Sequence, residues 1–531
     1  MNALLILYAA NLSGEATEPV FERKSSLSLA IERSRDFPGV GKTVLLTGPS
    51  QLPGLLPEGV VVERRDGPWT VKALLEAIAI HSKEPFDFSY FAWADCPFLD
   101  PKLAGKLAER HLRYAAEYSY ADGWPYGLAP ELLSPGTAAI LAKILGDEDG
   151  GPVGRDALFS VIQKDINAFD IETEISSVDL RCHRLSLAAD SRRNLLLLRR
   201  FAGIKHNGVE EIPDTATVES IIAEKLECLR TLPAFYPVQV FGGCPQACTY
   251  CPWPLASGSP VTERRDYMDI GRFEVLLEKI IAFSGDAVID LSLWGELSLH
   301  PRKLELVEMV LNRPELALVI ETSGIGWKNE ELEQIAKLVG NAVPRHMAFP
   351  SALSWIVSLD AADPARYKGI RGAGFAEAND CAKKILSLFP KDAYVQAVRT
   401  QGAEDDIERF YRSWKETASA NTIIQKYDDF CGMLPRKQAS DLSPIQRQPC
   451  WHLMRDMPVL LDGTVPLCRQ QICRQQADAI SLGNVFIEAL ETIWERGQRY
   501  YDEQVSVVVA KAGARYDPLC EKCDEYYTYN F

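Results

Sequence analysis

Short apolar runs alternate with stretches of helical periodicity through the first third of the chain. Leu4–Ala9, Thr43–Thr47, Val60–Val62 and Phe88–Trp93 are apolar runs of strand length. Apolar positions at helical spacing occur near 24–35, 70–82, 101–115 and 136–145. Strand followed by helix, repeated, predicts an α/β domain over residues 1–195, with a doubly wound, mostly parallel sheet. Residues 196–233 read as a helical connector. Ile221, Ile222, Leu226 and Leu229 span one face there, and the Lys225 stem can lie along it. The alternation resumes with Pro237–Phe241, Ala287–Trp294, Leu316–Glu321, Trp355–Asp360, Tyr394–Val398 and Thr422–Lys426. That order predicts a partial β/α barrel of six strands over 234–430. Beyond 431 the pattern breaks into shorter pieces, with a hairpin signal at Asp462-Gly463 between two strand-like runs.

Composition narrows the class. A chain of 531 residues exceeds what one hydrophobic core organises. A net charge of −16 argues against nucleic acid as the main partner, because phosphate binding needs a basic face. No run of 18 apolar residues occurs, so no membrane span is expected. The stretch Met1–Ala10 reads as a first buried strand and not as a signal peptide, which points to a cytoplasmic location. Thirteen cysteines, mostly in the second half, suit metal ligation in a reducing compartment better than a disulfide framework.

The chemistry concentrates at Cys244, Cys248 and Cys251, on the loop after the Pro237–Phe241 run. Sheets of this class place their sites at the C-terminal ends of the strands. Three thiolates suit a soft metal or an iron–sulfur cluster with one open iron. Spacing alone also admits a zinc knuckle completed by a distant Cys or His, or free buried thiols. A second group of cysteines follows: Cys431, Cys450, Cys468, Cys473, Cys520 and Cys523. Four thiols suit structural zinc as well as a cluster. The segment Gly39-Val-Gly41-Lys42-Thr43 is no P-loop, because Asp36 stands where a glycine is needed and the order is helix to strand.

The triad Cys244-x3-Cys248-x-Tyr250-Cys251 resembles the signature of the radical SAM superfamily. The resemblance implies a [4Fe–4S] cluster on the three cysteines, beside the aromatic Tyr250. S-adenosylmethionine would chelate the fourth iron and be cleaved to a 5′-deoxyadenosyl radical that takes hydrogen from substrate. Gly295-Glu296, at the end of the second barrel strand, resembles the family's Gly-Gly-Glu motif, with Trp294 in place of the first glycine. It implies contact with the amino group of S-adenosylmethionine. Ser323 and Ser358 resemble the polar positions that contact the same cofactor. Asp360, two residues after Ser358 and expected on the same face of the strand, is the candidate catalytic side chain.

The tail resembles the SPASM/twitch auxiliary region of that superfamily, in Gly463-x4-Cys468, Leu482-Gly483-Asn484 and the final Cys520-x2-Cys523. This implies one auxiliary [4Fe–4S] cluster on Cys450, Cys468, Cys520 and Cys523. Residues 1–195 are similar to GT-A-like nucleotidyltransferases, through Ala92–Asp100. That similarity makes Asp95 a candidate ligand for a divalent metal. The family's glycine-rich first loop is missing from Ala9–Gly14, so a degenerate binding domain is expected. The whole arrangement resembles spiro-SPASM proteins. The resemblance of the tail to SPASM-type regions implies a peptide or protein substrate that is oxidised or crosslinked, with a reductant such as flavodoxin or ferredoxin. A nucleotide-linked sugar held by the N-terminal domain is the alternative substrate. A non-catalytic metal-binding scaffold is the alternative of another class.

Overall fold

The computed structural model of the chain describes residues 1–49, 56–205, 208, 211–258, 260–343, 345, 351–473 and 479–528. The chain divides into two compact units, Met1–Leu229 and Arg230–Phe531.

The first unit is built on a seven-stranded sheet. Its strands are β1 (Ala3–Tyr8), β2 (Val40–Thr47), β3 (Val60–Arg64), β4 (Phe88–Trp93), β5 (Tyr118–Asp122), β6 (Glu131–Leu133) and β7 (Ile171–Ile175), in the order β3-β2-β1-β4-β6-β5-β7. β1 and β4 are buried at every position, and β1 pairs in parallel with both β2 and β4. Continuous apolar runs are what a strand covered on both faces requires. β6 runs antiparallel to β4 and β5, so the sheet is mixed. Helices α1 (Ser26–Arg35), α2 (Val71–His81) and α3 (Pro101–Arg113) begin at side-chain caps. Ser25, Thr70 and Asp100 each accept a hydrogen bond from a first-turn backbone N–H. The expected connector belongs largely to this unit, as α4 (Arg192–Ala202) and α5 (Thr215–Glu224). α5 stops at Lys225, and a 3-10 turn over Leu226–Leu229 follows, so the helical face seen in the sequence is broken after its second turn.

The second unit carries six parallel strands in sequential order: β8 (Phe235–Pro237), β9 (Ala287–Asp290), β10 (Leu316–Thr322), β11 (Leu353–Ser358), β12 (Ala393–Arg399) and β13 (Asn421–Lys426). Helices fill the crossovers; α6 (Pro364–Arg371) follows β11. This is an open, partial β/α barrel, and the α/β class read from the sequence holds for both units. β8 lies two residues earlier than the apolar run suggested. The reason is a strand-like neighbour from the tail. Met457 N donates to Phe235 O at 2.9 Å, Val459 N to Pro237 O at 2.8 Å, and Gln239 N to Val459 O at 2.8 Å. The tail thus covers the sheet edge that β8 would otherwise expose.

This also corrects the hairpin expected at Asp462-Gly463. Leu460 and Thr464 close a turn there, but the preceding run pairs with the barrel. The following strand, β14 (Thr464–Pro466), pairs antiparallel with β15 (Ser481–Asn484) instead. Helix α7 (Leu490–Val508) closes the tail. Its Trp494 donates from Nε1 to Thr231 O at 2.8 Å, and Arg230 lies over the Trp494 ring at 3.5 Å. Buried Arg230 also donates to Leu453 O and Trp494 O, each at 2.9 Å. Replacing Arg230 by Ala removes these donors from buried carbonyls. We expect the full chain to lose about 2–4 kcal/mol of unfolding free energy, measured by denaturant titration.

Candidate metal and cofactor centre

The first cysteine loop is braced from behind by a buried ion pair. Arg371, at the end of α6, meets the Asp360 carboxylate at 2.6 Å, and both side chains are buried. Tyr250, inside the triad, donates its hydroxyl to Asp360 and accepts from Arg371. Asp360 Oδ1 accepts from Val398 N at 2.7 Å. Arg371 Nε donates to Gln246 Oε1 at 3.0 Å, and Gln246 Nε2 donates to the Tyr367 hydroxyl at 2.8 Å. Thr249 N closes the arrangement on Ile370 O at 3.0 Å. Asp360, expected from the sequence as the catalytic side chain, is thus an anchor of this brace. Its oxygens are committed to Arg371, Tyr250 and Val398. It also lies past the strand end at φ 63°, so it does not share the strand face of Ser358. Asp360 positions the loop.

The strand-end glycines permit a close crossing. A Cβ on Gly295 would lie 1.7 Å from Phe241 O, and one on Gly243 would lie 2.4 Å from Arg264 O. Trp294, where the motif resemblance has a glycine, takes φ 47°, a conformation that favours glycine. Glu296 is buried. Its carboxylate accepts from Thr322 Oγ1 at 2.6 Å and from Ser323 N at 2.7 Å, so it fixes the β10 end and has little room for a cofactor amine. Ser323 is buried, and its Oγ accepts from Ile325 N at 3.3 Å. Ser358 donates to Glu321 Oε1 at 2.7 Å, and Gln396 Nε2 reaches the same oxygen at 2.8 Å. The direct cofactor contacts expected of Glu296 and Ser323 thus become positioning contacts in this arrangement.

A cavity of about 350 Å³ opens over these strand ends. Its lining includes the whole triad, Asp290, Glu321 and, from the tail, Cys468. Burial pushes the Asp290 carboxyl up to about 7, with Glu321 adding to the shift. Burial raises the Cys248 thiol, and the Arg371 guanidinium pulls it back.

The second cysteine set closes on a smaller cavity of about 30 Å³, lined by Cys450, Cys468, Cys520 and Cys523 together. Cys468 borders both cavities. Gln504 Nε2 donates to Cys520 Sγ at 3.3 Å, and Glu525 N donates to Cys523 Sγ at 3.4 Å. Around them Lys426 and Arg469 pair with Glu525, each at 2.7 Å. The side chain of Cys473 lies outside the described residues.

The donor chemistry fits iron–sulfur clusters at both places. Each set is all thiol, and at the second the sulfurs receive N–H donors of the kind that support cluster thiolates. Burial pushes the Cys251 thiol up to about 12 and Cys520 to about 11, so these groups keep their protons until a cationic centre takes them as thiolates.

In the first unit, Asp95, expected from the sequence as a divalent-metal ligand, is held by Arg155. Arg155 Nη1 and Nη2 bind its two oxygens at 2.9 and 2.6 Å. The carboxylate is buried and already neutralised. Arg155 also lies over Trp93 at 4.3 Å and Tyr126 at 5.3 Å. A cavity of about 350 Å³ adjoins them, with Tyr118, Tyr120, Trp124 and Phe159 in its wall.

Residues 450–524 match the SPASM family, an iron–sulfur cluster-binding domain. An uncharacterised protein of Treponema pallidum (strain Nichols) is 35% identical over 382 residues, covering 70% of this chain and 98% of its own. The chain belongs to the family of this Treponema protein. Its SPASM domain includes Cys450, Cys468, Cys520 and Cys523, and begins 19 residues after Cys431 (450 − 431). Among solved structures, the chain is similar to Streptococcus suis SuiB bound to precursor peptide SuiA. The likeness covers 56% of this chain and 74% of that one, at 14% identity and a TM-score of 0.39. The N-terminal part is similar to a cytidylyltransferase from Leptospira borgpetersenii serovar Hardjo-bovis. That match covers 41% of this chain and 92% of the other, at 16% identity and a TM-score of 0.32.

Sequence reasoning missed Gln246, Glu321, Arg371 and Gln396. A usable signal was the polar residue inside an apolar strand run: Gln396 lies within Tyr394–Val398, and Glu321 ends Leu316–Glu321. Replacing Asp360 by Ala leaves Arg371 buried without its carboxylate. We expect a loss of about 3–5 kcal/mol of stability in thermal or denaturant unfolding. We also expect iron retention to fall at the first centre, with the auxiliary complement kept, as read by iron analysis.

Proposed function

We propose that this chain is a radical SAM enzyme. The observation that carries the reading is the single cavity bordered by the Cys244, Cys248 and Cys251 triad and by Cys468 of the SPASM domain. Cys244, Cys248 and Cys251 would hold a [4Fe–4S] cluster with S-adenosylmethionine at its open iron, and this pair supplies reductive sulfonium cleavage and hydrogen abstraction when bound. Cys450, Cys468, Cys520 and Cys523 would hold one auxiliary [4Fe–4S] cluster. A four-thiol set leaves no open iron, which favours electron relay over substrate ligation.

The protein's own contribution is position and dryness. The Asp360–Arg371–Tyr250 brace keeps the cysteine loop in register. Glu296 fixes the Thr322–Ser323 turn, and Gly295 lets the strand end approach Phe241 closely. Glu321, Ser358 and Gln396 form a hydrogen-bonded polar floor. Asp290, titrating at about 7, can take up a proton from substrate near neutral pH.

We take the substrate to be a peptide or protein residue, oxidised or crosslinked, with a small reductant protein such as flavodoxin or ferredoxin supplying electrons in the cytoplasm. The second reading, a nucleotide-linked sugar, is favoured by the aromatic cavity of the first unit. A metal-binding scaffold without turnover is the rival of another class. Among the described residues no helix is long and apolar enough to cross a membrane.

Anaerobically reconstituted protein with a strong reductant should release 5′-deoxyadenosine from S-adenosylmethionine, and Cys248→Ala should abolish it. Equal, negligible release from both, with the wild type fully loaded, would overturn the enzyme reading. Zinc in place of iron and sulfide would favour the scaffold. Iron should fall from about eight to about four per chain when Cys520 and Cys523 are both replaced; unchanged iron would remove the auxiliary assignment. Mass spectrometry of cells with and without Cys248 separates the substrates. A peptide lighter by two hydrogens, or crosslinked, supports the first; an altered nucleotide sugar supports the second.

A further inference from the structure

The cavity of the first unit joins aromatic walls to an excess of carboxylates. Phe91 and Trp93, two residues apart on β4, both line it, as side chains on one face of a strand do. Tyr118, Tyr120 and Phe159 form another part of the wall. The Tyr118 and Tyr120 rings are stacked with centroids 5.7 Å apart, and Phe159 lies 6.4 and 6.3 Å from them. Glu131 stands opposite Phe91 in the β4–β6 ladder and accepts from the Tyr118 hydroxyl. Among the described residues no cation pairs with Glu131. Arg155 is the cation in the wall, and Asp95 and Asp190 already hold it, at 2.6 and 3.2 Å. Asp156 adds a further carboxylate. Burial pushes Glu131 up to about 7, with the Tyr118 hydrogen bond opposing the shift and Asp156 adding to it. Trp93 is only 3% exposed, and its indole N–H and Arg155 Nε are buried without a hydrogen-bond partner.

The face of an aromatic ring is its negative side, so grouped rings beside an unpaired carboxylate attract a positive group. Ring faces offer no oxygen to a hard metal ion, so an organic cation suits them better. The sugar of the second reading could stack on the same rings, but it would bring no charge to Glu131. Buried donors without acceptors call in turn for an oxygen on the ligand. We propose that this cavity binds a small organic ammonium ion that carries an acceptor oxygen, of the amino-alcohol class. Its ammonium group lies against Tyr118, Tyr120 and Phe159 beside Glu131. Its oxygen faces Trp93, about 7 Å further along the strand. The cavity volume of about 350 Å³ is at the small end of small-molecule sites, as a ligand of this class requires. The site is independent of the cluster chemistry of the second unit.

The test is calorimetric titration of the full-length protein at fixed ionic strength. Two probes are compared: choline, and its neutral isostere 3,3-dimethylbutan-1-ol, which keeps the shape and the hydroxyl but lacks the charge. We expect choline to bind at a single site per chain and the isostere to bind about tenfold more weakly or less. Glu131→Gln keeps an acceptor for Tyr118 and removes the charge. Tyr120→Leu keeps apolar bulk and removes the ring. Each should weaken choline by about tenfold while leaving the unfolding midpoint in place. The wild-type comparison of the two probes decides alone where a variant fails to fold. No heat with choline at millimolar concentration overturns the proposal, and so does equal binding of the two probes. Choline affinity unchanged in both folded variants also overturns it, because the cation would then sit elsewhere. Binding of a nucleotide sugar where choline does not bind returns the cavity to the second reading.

Discussion

The buried Arg371–Asp360 pair is the constraint on which the first centre depends. Removing two charges from water is costly, and the attraction between them repays that cost only when the remaining hydrogen-bond capacity is met. Here Tyr250, Val398 and Gln246 meet it; Tyr250 and Gln246 belong to the cysteine loop and Val398 to β12. The pair therefore ties the triad to two barrel elements. It also sets a positive charge near Cys248, where a thiol must become a thiolate. An exposed pair of the same residues would do little of this, because solvent would screen it and the loop could detach.

The same logic redistributes roles among the motif residues. A carboxylate named by resemblance as a cofactor contact, Glu296, holds Thr322 and Ser323. The residue singled out as catalytic, Asp360, holds the cysteine loop. In both cases burial brings protein donors to the carboxylate, so most of its accepting capacity is used within the fold. Asp428 and Asp456, which are ion-paired, border the larger cavity, and so do Asp290 and Glu321. Among the described residues neither of the last two forms an ion pair, and they face the space where substrate chemistry would occur.

The sheets were legible in the sequence because buried parallel strands are written as continuous apolar runs, as in Leu4–Tyr8 and Ala287–Ile289. The gathering of cysteines was legible in their short spacings, and the structure brings the triad to one cavity and Cys450, Cys468, Cys520 and Cys523 to another. Other features are written in contacts between distant residues. Nothing near Val459 announces that it will pair with Pro237 and Gln239 in place of its hairpin partner. Nothing near Asp95 announces Arg155, 60 residues on, which fills both of its oxygens. Polar residues inside strands, such as Gln396, carry a local signal, but its meaning depends on which neighbour supplies Glu321.

Trp294 shows how a departure from a motif can be informative. A tryptophan at φ 47° is strained, and a glycine would relieve the strain at once. What glycine could not supply is the ring, which lies 5.7 Å from Phe430 at an interplanar angle of 58°. Phe430 is strained in the same sense, at φ 50°, on the turn that carries Cys431. Two strained aromatic residues meeting between two cysteine sets is an arrangement that local preference opposes on both sides. Packing of the Tyr427, Phe430 and Leu434 cluster against Tyr250 and Trp294 is the favourable term that offsets it. The strain therefore marks where the barrel and the SPASM domain are keyed to one another, and that key lies beside the triad.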